Sequence, residues 1–166
     1  MRILFWSETF WPRIGRVENL PARLLPALRS RGHEFAVVTR ENVEKSEQIR
    51  YRDIPVYRFP FFSGKYQGGL GSIIENRRKV VRLKQRFAPD IVHINSYGRS
   101  VLFHINTTSA HAAPVLVTLH QALSNESIAN DSLLSHLLCS TDWVTGCSSA
   151  VLTHAQLCPN SFHVPP

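Results

Sequence analysis

The chain holds 166 residues, 43% of them hydrophobic, with 19 Lys and Arg against 12 Asp and Glu and a formal charge of +7. That length fills one core and falls short of two ordinary domains, so a single domain over 1–166 is expected. No uncharged apolar run reaches the roughly 18 residues of a membrane span, and the chain enters a strand without a basic-then-apolar leader, which points to a cytoplasmic protein.

In chain order, strands and helices alternate. Apolar, β-branched runs over 2–6, 34–39, 54–59, 90–94, 115–120 and 143–146 read as strands, with a weaker one over 162–164. Helix-period stretches over 17–31, 72–87, 98–112, 128–138 and 148–156 lie between them. Continuous apolar strands joined by helices predict an α/β, Rossmann-like three-layer domain with a mainly parallel sheet of about seven strands, covered on both faces. Pro21 suits a first helical turn, whereas Pro26 falls inside the helix and is expected to bend or interrupt it. The stretch 41–52 is polar without periodicity, and 64–71 carries four glycines; both are expected to be loops.

The helix over 72–87 concentrates the charge, with Arg77, Arg78, Lys79, Arg82, Lys84 and Arg86 inside ten residues. Ile73, Ile74, Val80, Val81, Leu83 and Phe87 recur at helical spacing and form an apolar stripe on the same element. Such a helix either packs its stripe on the sheet and leaves its cations in water, or docks on an anionic membrane surface. Nucleic acid is disfavoured, because few aromatics accompany the cations and no binding signature is present.

Open parallel sheets bind ligands at the carboxyl ends of their strands, so the polar residues there are the candidates. Gly15 in the loop 7–16 allows positive φ and close backbone approach, and the following helix start favours an anion. Along 89–97, alternation puts His93 and Asn95 on one side, with Asn95, Ser96 and Tyr97 where the edge opens. His93 reads as a core histidine. The run 114–119 ends in Thr118-Leu119-His120, and that terminal imidazole is able to donate to an oxygen or hold charge. In 139–149, Asp142 precedes a short strand, and Ser148 or Ser149 is placed to cap a helix. Cys139, Cys147 and Cys158 lack C-x-x-C spacing and are expected to be reduced and buried. The histidines show no metal-ligand clustering, so no metal site is expected.

These segments in this order resemble the N-terminal domain of the family-four glycosyltransferases, which have the two-domain GT-B architecture. The likeness lies in the strand, proline loop and Arg31-Gly32-His33 of the opening, in Pro89-Asp90 and its strand, in Thr118-Leu119-His120, and in the aspartate, short strand and serine from Asp142 to Ser148. The resemblance implies retaining transfer of a sugar from a nucleotide-diphosphate donor to a sugar or lipid-linked hydroxyl acceptor, with no tightly bound cofactor. It implies His120 as the catalytic residue in the cleft, Gly15 and Arg16 facing phosphate or acceptor, and Asn95, Ser96 and Tyr97 facing the acceptor. Two departures stand out: Arg16 replaces the second glycine of the family's pair, and Asn95 replaces a histidine. The family continues into a C-terminal donor-binding domain, which is the expected missing partner, and the chain alone is expected to be inactive. The alternative is a non-catalytic module docked through the 77–86 helix at the inner face of a membrane.

Overall fold

The computed structural model describes residues 1–13, 15–40, 48–61, 69–121 and 132–155. Among them, β1 (Arg2–Ser7), β2 (Glu34–Arg40), β3 (Gln48–Tyr51), β4 (Ile54–Phe59), β5 (Ile91–Ser96), β6 (Val115–Leu119) and β7 (Trp143–Gly146) form one sheet ordered β3-β4-β2-β1-β5-β6-β7. All pairings are parallel except β3 with β4. The helices are α1 (Arg16–Arg29), α2 (Gly69–Phe87), α3 (Val101–Ile105), α4 (Leu133–Cys139) and α5 (Ser149–Ala155), with a 3₁₀ turn at Thr108–Ala110. From β1 the chain winds outward through β2 and β4, then returns to the other side of β1 at β5. The crevice between the carboxyl ends of β1 and β5 is therefore the switch point where such sheets bind ligands.

Strand alternation supplies a core on each face. Leu4, Trp6, Val38, Ile94 and Val117 pack with Val80, Leu83 and Phe103, while Ile3, Phe5, Val37 and Val56 pack with Leu25 of α1. Trp6 stacks on Phe61 at 5.7 Å and donates its indole N–H to Ser100 Oγ at 3.0 Å, so its one polar atom is satisfied. Two aspartates latch strand starts. Asp90 Oδ2 accepts from Arg2 N at 2.6 Å, and Asp142 Oδ2 accepts from Val115 N at 2.8 Å. Ser148 caps α5 as expected, its Oγ accepting from Val151 N at 3.4 Å.

Several expectations are corrected. Part of the expected loop 41–52 is β3, antiparallel to β4 across the two-residue turn Arg52-Asp53, both at positive φ (46° and 64°). That is the left-handed pair a tight hairpin requires, written without the usual Asn-Gly. The helix expected over 98–112 is split into α3 and the 3₁₀ turn, and residues 69–71 form the first turn of α2. Ile74 is 50% exposed, off the buried stripe, whereas Lys84 is 1% exposed and leaves the basic surface. Its Nζ donates to the carbonyls of His104 and Thr107 at 3.2 and 3.1 Å, and burial lowers its pKa to about 8. Cys139 and Cys147 are free and exposed rather than buried, because one ends α4 at the surface and the other follows β7, its Sγ donating to His120 O at 3.5 Å. Cys158, the strand expected over 162–164 and residues 41–47, 64–68 and 128–131 lie outside the described residues.

The helix α1 is not interrupted at Pro26 but runs through both prolines. Each proline frees the carbonyl four residues earlier, and each carbonyl finds another donor. Asn95 Nδ2 reaches Val17 O at 3.4 Å, and the Tyr51 hydroxyl reaches Ala22 O at 3.3 Å.

Candidate functional site

At the carboxyl ends of β5 and β6, Val17, Ser96, Tyr97, Thr118, His120 and Gln121 line a hollow of about 210 Å³. A β-bulge sets its floor. Trp6 pairs with Ile94 but Ser7 pairs with Ser96, leaving Asn95 as the extra residue. The bulge turns consecutive side chains toward one neighbour, with Asn95 Nδ2 3.4 Å from Ser7 Oγ and Ser96 Oγ 3.1 Å from the same atom. Ser96 Oγ also accepts from Glu8 N at 3.0 Å.

His120, just past β6, shares a 3.2 Å hydrogen bond between its Nε2 and Asn95 Oδ1. Below it, His93 Nε2 and Thr118 Oγ1 are 2.8 Å apart. Burial, helped by the charge of His120, lowers the His93 pKa to about 4, so His93 is a neutral core imidazole, as the sequence suggested. Tyr97 and Gln121 close the rim, Gln121 Nε2 donating to Tyr97 Oη at 3.4 Å.

The candidates divide into those at the surface of the hollow and those behind it. Ser96, Tyr97 and His120 face it, whereas Asn95 is 0% exposed and its amide is bonded within the protein. Gly15 is the N-cap of α1 with φ −163° and ψ 177°, an extended conformation open to any residue, so the expected positive φ is corrected. A Cβ there would displace the Glu18 carboxylate, which accepts from Thr9 Oγ1 and ties the loop to α1. Glu18 also places negative charge in the first turn of α1, offsetting the attraction of that helix start for an anion. Arg16 begins α1.

Glu8 was missed by the sequence reading. Its Oε2 accepts from Ser100 N at 3.1 Å, and its Oε1 lies 3.9 Å from Arg40 Nη1. The carboxyl group occupies the space beside Gly98, where a Cβ would come within 2.6 Å and the Glu8 side chain would have to shift. A carboxylate one residue beyond the central strand was the available signal.

A second, larger hollow of about 710 Å³ lies at the amino edge, between His104, His111, Pro114, Ser140 and Asp142. Asp142 there holds Val115 N, and His111 Nε2 bonds Pro89 O at 2.9 Å. Both ring nitrogens of His104 are buried without partners among the described residues. Burial and the neighbouring Lys84 push its pKa down to about 3, leaving a neutral ring set edge-on to Trp6. The larger hollow thus lies at the edge opposite the switch point of the sheet.

In structure, the chain is similar to MurG of Acinetobacter baumannii, with a TM-score of 0.64 at 13% identity over 99% of this chain and 43% of that one. It is similar also to the UDP-GlcNAc 2-epimerase of Methanocaldococcus jannaschii, at 0.62 and 13% over 93% of this chain and 42% of that one. The sucrose-phosphate synthase of Thermosynechococcus elongatus gives 0.54 and 15% over 87% and 42%. The chain thus spans less than half the length of these proteins. At such identity the likeness shows a fold, the Rossmann-like half of a GT-B architecture, shared by proteins of different activity. No curated protein matches the chain in sequence. The family model for Glycosyltransferase Family 4 matches residues 17–160, nearly the whole length. The chain belongs to Glycosyltransferase Family 4.

Proposed function

We propose that this chain is the acceptor-side domain of a retaining glycosyltransferase that moves a sugar from a nucleotide-diphosphate donor to a hydroxyl acceptor. The observation that carries the reading is His120, an imidazole at the carboxyl end of β6, oriented by buried Asn95 on the wall of a polar hollow. In this reading His120 orients the reacting sugar, Ser96 and Tyr97 meet the acceptor, and the start of α1 at Gly15 and Arg16 faces phosphate. The leaving diphosphate takes the acceptor's proton on the same face, so the protein supplies placement rather than a nucleophile. Glu8, the carboxylate beside the switch point, holds the chain after β5 in place through Ser100 N and lies near Arg40. A donor-binding domain completes the cleft; without it nothing holds both reactants in attack geometry away from water.

The test follows the reading frame beyond Pro166 and measures nucleoside diphosphate release from a panel of nucleotide sugars with hydroxyl acceptors. The two-domain product turns over one donor with retention, and the 166-residue chain alone stays at buffer level. Turnover by the short chain, or none by a two-domain product with any donor, refutes the reading.

A second reading has one observation in its favour. Leu70 and Ile74 are 79% and 50% exposed near the start of α2, beside exposed Arg77 and Arg78. Apolar side chains flanked by cations suit the anionic inner face of a membrane. Sedimentation with anionic vesicles, lost on charge reversal at Arg77, Arg78 and Arg82, is the expected result; unchanged binding removes this reading.

A further inference from the structure

The geometry points to Asn95 as the positioning residue that decides which nitrogen of His120 carries the proton, with Pro21 as the origin of that decision. The functional consequence rests on His120 facing the ligand, as in the proposed function; the setting of the ring does not.

In a continuous helix the N–H of residue 21 would bond Val17 O. Pro21 has no N–H, so that carbonyl is open at the second turn of α1, where Val17 lines the hollow. The Asn95 amide fills the gap, with Nδ2 3.4 Å from both Val17 O and Ser7 Oγ. An amide has one donating end and one accepting end. With Nδ2 drawn to the helix carbonyl, Oδ1 is turned to His120 Nε2 at 3.2 Å. Reversing the amide would set oxygen against the Val17 carbonyl and leave that carbonyl without its donor, in a place where Asn95 is sealed from water. The bulge at Asn95 holds the side chain within reach of both partners. The same physics recurs away from the site, where Pro26 frees Ala22 O and the Tyr51 hydroxyl takes it.

In its neutral form the His120 ring therefore carries its proton on Nε2 and donates it to Asn95. Nδ1 keeps its lone pair and is the ring atom left for a ligand, with no bond to it from the described residues. Such an atom accepts from a hydroxyl and does not donate to a phosphoryl oxygen. The ligand class it selects is a hydroxyl-bearing sugar rather than an anion at that point. Asn95 thus acts through His120, and its identity as an amide is the setting itself: a histidine in its place would not be bound to present its acceptor.

Imidazole ¹⁵N spectra of the 166-residue chain in alkaline buffer test this directly, with His120→Gln identifying the resonances. The wild type is expected to show the Nε2–H form. In Pro21→Ala the new N–H takes Val17 O and frees the Asn95 amide to turn, moving the tautomer ratio toward Nδ1–H by about fivefold or more, the worth of one hydrogen bond. Asn95→Asp retains the acceptor and keeps Nε2–H. A wild-type ring protonated on Nδ1, or Pro21→Ala spectra identical to wild type, overturns the inference. Because alanine is the best helix former, Pro21→Ala leaves α1 intact. No substrate enters the experiment, so failure of the transferase reading and failure of this one are read separately.

Discussion

At the amino edge of the sheet Asp90, Asp142 and His111 hold strand starts together, whereas at the carboxyl edge Asn95 and His120 hold each other beside a hollow. The amino edge has the larger cavity, about 710 Å³ against about 210 Å³. Its carboxylate already accepts from a backbone N–H, and the nitrogens of its buried histidine are shut off from the space. The lesson is that volume does not choose a site; its place at the switch point of the sheet does.

The largest effect that sharpens this contrast is acid sensitivity, which sets the buried histidine of each region against the other. Folding lowers the pKa of His93 to about 4 and of His104 to about 3 from 6.5. Below pH 6.5 the unfolded chain binds protons that the folded chain refuses. Stability from both residues is thus full above that pH and falls as the pH drops toward 4 and 3. By pH 4.5 the loss is on the order of 5 kcal/mol. Urea unfolding at several pH values checks it, and His104→Phe should remove about half of the slope; an unchanged slope would mean the ring is protonated in the fold.

Next in size is His120→Ala in a two-domain product. Transfer should fall roughly 10²- to 10³-fold, with stability lowered by no more than the about 1–3 kcal/mol that the unpaired Asn95 oxygen costs. A loss of stability matching the loss of rate would make His120 a structural residue and erase the distinction between the edges.

Asp142→Ala is the mirror experiment. It strips the latch from Val115 N and should cost about 1–2 kcal/mol in chemical denaturation while acceptor KM stays put. A change in KM would bring the amino edge into the site. Smallest is Tyr97→Phe, whose hydroxyl takes only a 3.4 Å bond from Gln121. Acceptor KM should move by about threefold or less, and a tenfold rise would promote the phenol to a principal contact.

Most of the architecture was legible because strands buried on both faces must be continuously apolar, and the runs at 2–6, 34–39 and 115–120 can be little else. The alternation that put His93 and Asn95 on one face also held, since both side chains meet α1-side neighbours, Phe5 and Val17 O. The hairpin of β3 escaped notice because Arg52-Asp53 adopts left-handed backbone that its side chains do not advertise. Lys84 escaped because a cation on a basic helix reads as solvated until the carbonyls of His104 and Thr107 are brought to it.

By itself the sequence determined the order of the parallel strands and the place of His120 at a strand end, both consequences of local periodicity. Tertiary structure alone decided which polar groups meet. Glu8 finds Ser100, Asn95 finds the carbonyl that Pro21 leaves open, and His120 is set by Asn95, each across separations of 25 to 92 residues. The physical reason is that hydrophobic burial is nearly additive along the chain and can be read from it. A hydrogen bond depends on distance and direction between groups that only the completed fold brings together.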